Sequence, residues 1–369
     1  MKITELETIV LPQIPFPFSL KPAWGTGDDW NHFSIMVVKL YTDQGLVGIG
    51  AGNIEPAKRI REIVRPALIG QDPTQIEQHV AFLGRIGGAW AVEMALWDLL
   101  GKLAGLPLYK LWGAWTDKVK AYASLVEVGA PQKRAEDALR LYDEGFRALK
   151  LRIHQDTLQQ DMNLVQAVYE AVGGKMEIMV DANQANLVPS QKQGPVWDLE
   201  RAIWTAKSLE SLSVRWLEEP LGRYDFSGLA QLCESVDLPI AGGENNHTLV
   251  DFLNMIKLGA YDILQPDVVV VGVSGTRKIA ALAQIAGKVM VGHHGYSGVG
   301  LAAHLHICAS CSNAPFIEYF YDPPGFPREV FQGLLSEPLN VDADGYIHLP
   351  QKPGLGVELD DDFIQRYRA

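Results

Sequence analysis

The sequence predicts an α/β barrel of the TIM type behind an α+β amino-terminal domain, and three observations carry that prediction. First, five short apolar runs, EIMVD, VRWLEE, LPIAGGE, YDILQPD and KVMVGH, end in ionisable residues. A run of about four to eight apolar residues that stops abruptly at a polar one is the mark of a strand buried on both faces. Second, from about residue 118 such runs alternate with helical stretches, which implies parallel strands with helices outside. Third, the polar residues Asp181, Glu218, Glu244, Asp267 and His293 all fall at the carboxyl ends of their runs, the face on which such barrels carry chemistry.

Taken in order, residues 2–11 alternate as a strand, and FSIMVVKLYTDQGLVGIG at 33–50 reads as two strands joined at Thr42-Asp43-Gln44-Gly45. Between them, 15–32 is rich in Pro, Gly and Trp and is expected to be a long mobile loop, a feature often tied to function. Helical patterns follow at about 55–68, 73–84 and 88–106, the last closed by a glycine. Strand candidates then lie near 118–124, 147–152, 176–181, 214–219, 238–243, 261–266, 288–293 and 315–319, with helices such as 131–145 and 156–173 between them. Eight strands in about 200 residues is the span of a TIM barrel. Beyond residue 325 the chain is rich in Pro and Gly and is expected to pack back on the amino-terminal region. The resulting division is 1–117, 118–325 and 326–369.

With 369 residues, 47% hydrophobic and 21% charged, the chain is built for a large core. Its net charge of −12 argues against nucleic acid or an anionic membrane as partner. Three cysteines, Cys233, Cys308 and Cys311, make no disulfide framework and fit a reducing, cytoplasmic setting. Cys308 and Cys311 have the spacing of a metal or redox pair but lack a second such pair, and read as small core residues. The first residues lack the basic-then-apolar pattern of a signal peptide, and no uninterrupted run of eighteen apolar residues exists.

Three carboxylates from successive strand ends, Asp181, Glu218 and Glu244, would repel one another unless a cation lay between them. Oxygen donors with open positions suit a hard ion such as Mg²⁺. Glu218 and Glu219 are neighbours on one strand and point to opposite faces, so one of them faces the ion. Lys150 and Arg152, two residues apart on a strand, share a face and point into the barrel mouth, with His154 one step further along. Asp267 and His293 close adjacent strands. A carboxylate that accepts an imidazole N–H fixes its tautomer and raises its basicity, the arrangement of a general base, although His294 is an immediate rival. Glu318 sits in the last strand. Trp24, Thr26, Asp29, Trp30 and Asn31 in the long loop, with His154, Asn183, Tyr296 and Tyr319, are candidate substrate contacts.

The motifs MALWDLLGKLAGLPLYKLWG at 94–113, KLR at 150–152, VDANQA at 180–185, WLEEP at 216–220, GGEN at 242–245, LQPD at 264–267, VGHH at 291–294 and FIEY at 316–319 resemble, in this order, the mandelate racemase subgroup of the enolase superfamily. The intervals of 26, 23 and 26 residues along Glu218, Glu244, Asp267 and His293 are similar to that family's too. The resemblance implies a modified TIM barrel, (β/α)7β, with an α+β capping domain. It implies Mg²⁺ on Asp181, Glu218 and Glu244, with Asn183 and Asn245 beside the ligands. It implies Asp267 and His293 as acid/base dyad, and Glu318 as a donor to a substrate carboxylate oxygen. Assembly into a homo-oligomer is a further expectation from the resemblance. One position departs. The subgroup commonly has Lys-x-Lys where this chain has Lys150-x-Arg152, and an arginine is a poor general base. The expected reaction is therefore dehydration of a polyhydroxy acid, an aldonate or aldarate, with a racemase, epimerase or cycloisomerase as the alternative.

Overall fold

The computed structural model describes residues 1–25, 28–185 and 194–369; Thr26 and 186–193 of the polar segment between Asp181 and Glu218 lie outside the described residues. The chain begins with an antiparallel sheet of β1 (Ile3–Leu20), β2 (Trp30–Thr42) and β3 (Val47–Gly52), in that order. The hairpin of β1 and β2 reaches further than the sequence suggests. Pairing continues through Ile14 with Phe33 and Pro15 with His32, and reaches Leu20 with Trp30, past two irregularities in register. The expected long loop thus shrinks to the segment between Leu20 and Trp30. Pro15 and Pro17 masked the strand, but β1 is an edge, where a missing N–H costs no ladder bond. Buried Ile14 and Phe16 alternate with exposed Pro15 and Pro17.

A helical segment at 57–68 follows, made of α1 (Ala57–Arg59), one π-helical turn (Ile60–Val64) and α2 (Arg65–Leu68). Then come α3 (Ile76–Arg85), α4 (Trp90–Ala104) and the short α5 (Leu108–Leu111). Helix α4 lies directly on β3. A Cβ at Gly48 would stand 2.2 Å from the Ala95 carbonyl oxygen, and one at Gly50 2.0 Å from that of Ala91. Only glycine lets backbone approach backbone this closely.

The barrel runs β4 (Lys118–Ser124), α6 (Pro131–Asp143), β5 (Ala148–Arg152), α7 (Leu158–Val172), β6 (Glu177–Asp181), α8 (Leu199–Glu210), β7 (Leu217–Glu218), α9 (Phe226–Ser235), β8 (Ile240–Gly242), α10 (Leu249–Leu258), β9 (Ile263–Leu264), α11 (Val268–Ile285), β10 (Val289–Met290), α12 (Gly298–Ala309) and β11 (Phe316–Phe320). Strands β4 to β11 pair in parallel, in the order β10-β9-β8-β7-β6-β5-β4-β11. A bridge between Gly292 and Ile317 joins the two ends, giving the modified (β/α)7β barrel. Helix α11 is 18 residues long with a mean hydropathy of 1.4, but it is a barrel helix, half buried and broken at Gly272.

Strand alternation explains where the chemistry sits. Tyr122, Ala148, Met179, Trp216, Ile263, Val291 and Phe316 pack together in one buried cluster. Two residues further along each strand the same face presents Ser124, Lys150, Asp181, Glu218, Gln265, His293 and Glu318. An apolar plug therefore lies beneath a polar layer. In register, Arg152 stands beside Asp181 and Asp181 beside Glu218.

The tail comprises α13 (Arg328–Phe331), β12 (Tyr346–His348) and α14 (Asp361–Tyr367). It returns to the first domain, where the Ala369 N–H donates to Val10 O at 3.0 Å. It also adds β12 antiparallel to β4, which the sequence did not suggest because three residues are too few to show a period. The three cysteines are free, and Cys308 is buried.

Candidate active site

The sequence-derived residues gather at the carboxyl ends of the strands. Carboxylate oxygens of Asp181, Glu218 and Glu244, all buried, lie within 4.8 Å of one another. Each is held from behind. Asp181 Oδ1 accepts from the Asn183 N–H at 2.7 Å and Oδ2 from Asn183 Nδ2 at 3.1 Å. Glu218 Oε2 accepts from Trp216 Nε1 at 3.1 Å and Gln265 Nε2 at 2.7 Å. Glu244 Oε1 accepts from Asn245 Nδ2 at 2.7 Å. Glu219 stays out of this group. Its backbone turns left-handed (φ 46°), and its side chain is buried with Oε2 unpartnered.

The cations are fixed. Lys150 Nζ lies 2.5 Å from Glu218 Oε1, 3.0 Å from Glu318 Oε1 and 3.6 Å from Asp181 Oδ2. Burial pushes its pKa down, but Glu218 and Glu318 outweigh burial and hold it up, so it stays charged. Arg152 donates to Leu125 O at 2.7 Å, to Ser124 Oγ at 3.0 Å and to Asp181 Oδ2. Its guanidinium also stands 5.0 Å from the centre of the Trp24 ring.

The dyad forms from adjacent strands. His293 Nδ1 and Asp267 Oδ2 are 2.8 Å apart, while His293 Nε2 lies 3.1 Å from Glu244 Oε2 and 3.6 Å from Glu318 Oε2. Burial would lower the His293 pKa, but Glu244, Glu318 and Asp267 together push it up to about 10. Burial raises Asp181, Glu218 adds to this, and its pKa reaches about 7 despite Arg152 and Lys150. Asp267 is held well below the usual carboxylate range, its burial outweighed by hydrogen bonding to His293 and His294. Burial raises Glu318 too, but Lys150 and His293 overcome it and hold its pKa down at about 2. Glu318 thus sits between Lys150 and His293.

Five buried carboxylates, Asp181, Glu218, Glu244, Asp267 and Glu318, thus face two permanent cations, Lys150 and Arg152. Even with His293 protonated the layer carries excess negative charge. A clustered, all-oxygen donor set of this sign fits Mg²⁺.

A cavity of about 280 Å³ opens above the layer, lined by Trp24, Trp30, Phe33, Arg152, Asn183, Glu244, Asn245, His293, Tyr296 and Phe320 among others. Four candidate substrate contacts, Trp24, Trp30, Asn183 and Tyr296, line it. Two do not. Asp29 is exposed on the loop before β2 and is not part of the lining. His154 is buried outside it because β5 ends at Arg152, so strand alternation no longer governs its direction. Tyr319 is also buried away from the cavity, bonded through its hydroxyl to Gln332. Lys150 is wholly buried below the cavity, which leaves Arg152, among the described residues, as the Lys or Arg that lines it.

Sequence reasoning missed Phe33, Phe320, Gln265 and Ser124. Ser124 ends an apolar run, and Phe320 follows Glu318 by two residues, so the same strand logic reaches both. Phe33 comes from another domain and carries no such signal.

Comparison with known proteins identifies the family and the fold. The model of the mandelate racemase / muconate lactonizing enzyme N-terminal domain matches residues 10–113, and that of the enolase C-terminal domain-like family matches 133–363. The chain is 32% identical to a 3,6-anhydro-alpha-L-galactonate cycloisomerase of Streptomyces coelicolor, over 96% of this chain and 97% of that protein. It is 31% identical to an arabinonate dehydratase of Saccharolobus solfataricus, over 91% of each. Among solved structures, a racemase from Streptomyces coelicolor A3(2) with bound magnesium superposes with a TM-score of 0.86 at 29% identity, over the full length of both chains.

Proposed function

From the premise that the chain belongs to the enolase superfamily, in its mandelate racemase subgroup, we propose that it is a Mg²⁺-dependent dehydratase of a polyhydroxy acid, an aldonate or aldarate, yielding a 2-keto-3-deoxy acid. One observation carries this reading. His293 faces the cavity with its Asp267 partner, while the position on β5 that could supply a second base holds Arg152, tied to Asp181, Ser124 and Leu125. Inversion by two opposed bases has no second base there. Elimination needs only one.

Bound at Asp181, Glu218 and Glu244, Mg²⁺ supplies electrostatic stabilisation for charge developing on the substrate carboxylate. Arg152 lines the cavity and anchors that carboxylate. Lys150 braces Glu218 and Glu318 beneath it. With Glu244 engaged by Mg²⁺, the charge that holds the His293 proton is offset and Nε2 is free to act as base; His293 Nε2 then removes the α-proton, and the C–H electron pair moves into the carboxylate. As that pair returns to form the Cα–Cβ double bond, the β-hydroxyl departs and takes the proton from His293 as water. The resulting enol becomes the 2-keto acid by proton transfer to Cβ. Trp24, Trp30, Phe33 and Phe320 shield these steps from bulk water.

The test is a screen of aldonates and aldarates for 2-keto acid formation, repeated with His293→Asn. The variant is expected to lose turnover while keeping its fold and Mg²⁺ binding; full activity would eliminate the reading. A second reading, cycloisomerisation, draws on the similarity to the Streptomyces cycloisomerase and uses the same single acid/base. The two separate by product mass, since only dehydration gives a product lighter by one water.

A further inference from the structure

We infer that His294, the residue beside the proposed base, is a positioning residue that orients Asp267 from the side opposite His293. The inference rests on the proposed acid/base role of the dyad. His294 is fully buried and lines no part of the cavity, so it does not meet substrate. Its Nδ1 faces Asp267 Oδ1 at 3.5 Å, while His293 Nδ1 engages Asp267 Oδ2 at 2.8 Å. The carboxylate thus lies between two imidazoles, hydrogen-bonded to His293 through one oxygen and faced by the His294 ring across a longer contact on the other.

The two sides of the His294 ring together assign its tautomer. Nε2 lies 3.0 Å from both the nitrogen and the oxygen of Ser297. Nε2 can therefore accept from the Ser297 N–H or donate to the Ser297 carbonyl, and the contact on Nδ1 decides between them: an ionised Asp267 oxygen can only accept, which favours the proton on Nδ1 and the lone pair on Nε2. Ser297 is also the N-cap of α12, its Oγ accepting from the Gly300 N–H at 3.3 Å. A Cβ at Gly300 would stand 2.1 Å from the His294 ring, so glycine there makes room for it. The start of α12 therefore sets His294, His294 sets Asp267, and Asp267 sets His293.

The backbone of the same residue serves the site's other acid, the His294 N–H donating to Glu318 Oε2 at 3.2 Å. His304 is close as well, 3.8 Å from Asp267 Oδ1, but its Nε2 accepts from the Val268 N–H at 3.1 Å. Nε2 therefore carries a lone pair and cannot donate to Asp267, which leaves that task to His294.

Two measurements test this. Nitrogen-15 NMR of histidine-labelled wild-type protein reads the tautomer without any substrate. A protonated Nδ1 and bare Nε2 on His294 are expected, and the reverse pattern would overturn the inference. The second compares His294→Leu with His294→Asn, whose amide can donate where Nδ1 does, on the acid the wild type turns over. Removing a partner that orients a catalytic group typically costs about 10- to 100-fold. The Leu variant should lose that much in kcat with KM and Mg²⁺ affinity unchanged, and the Asn variant should recover most of it. Equal kcat in Leu variant and wild type, or a loss shared equally by Leu and Asn, would refute the role. If wild-type protein turns over no polyhydroxy acid, the functional reading fails, and the NMR arm still decides the tautomer on which the positioning role depends.

Discussion

Asp267→Asn gives the sharpest test of the dyad, because the structure dictates how the amide must sit. Asp267 Oδ1 accepts from the Val269 N–H at 2.8 Å, so the asparagine oxygen takes that position. Its NH₂ group then faces His293 Nδ1, where Oδ2 now lies at 2.8 Å. An NH₂ cannot accept, so Nδ1 must, and the imidazole proton moves to Nε2. That is the nitrogen directed toward Glu244 and Glu318, and it would hold a proton where the reaction needs a lone pair. A carboxylate-to-amide change that fixes the wrong tautomer in a protease triad costs about 10⁴-fold in kcat, or about 5 kcal/mol of barrier. A loss of that order is expected here in steady-state turnover, with KM little changed and circular dichroism and Mg²⁺ affinity intact. Activity within tenfold of wild type would show that Asp267 does not set the tautomer and would refute the reasoning.

Two further outcomes follow from the same electrostatics. Mg²⁺ should raise the melting temperature, since a ligand at 100 times its Kd adds about 2.7 kcal/mol of stability. Glu244→Ala should remove the effect in a thermal-shift titration, and an undiminished shift would place the ion elsewhere. His306 should make the fold acid-sensitive. It joins α12 to α5 and the tail, accepting from the Tyr109 N–H at 3.2 Å and lying 3.0 Å from Leu355 O. Burial pushes its pKa down to about 4, against about 6.5 when unfolded. The unfolded chain therefore binds the proton first. The stability contributed by neutral His306 is complete above pH 6.5 and is lost as pH falls toward 4, by about 2 kcal/mol at pH 5. Urea unfolding at pH 7 and pH 5 should show a smaller acid loss in His306→Gln than in wild type; equal losses would contradict the assignment.

Much of the site was legible because a barrel strand has a period of two and ends at the active face. The apolar runs ending in Asp181, Glu218, Glu244, Asp267 and His293 declare both the strand and the end that matters. Regular alternation also explains Ser124, Gln265 and Phe320, each two residues beyond a plug residue or an identified acid. The logic fails where the backbone leaves the strand. His154 lies past the end of β5, and the left-handed turn at Glu219 directs that carboxylate away from its neighbour. Proline hid the outer half of the β1–β2 hairpin, because residue preferences do not distinguish an edge strand from a loop.

By itself the sequence determined the barrel, the three clustered acids and the dyad, since each depends on local periodicity and residue type, while the departure at Arg152 emerged from the resemblance to the family. Only the tertiary structure decided what depends on distance between strands. It placed Glu318 between Lys150 and His293, sank Lys150 below the cavity, and set His293 at the cavity with His294 buried behind it. Adjacent in the chain, the two histidines meet opposite sides of one carboxylate. No sequence pattern encodes this, because the partner that distinguishes them, Ser297 at the start of α12, acts through its backbone.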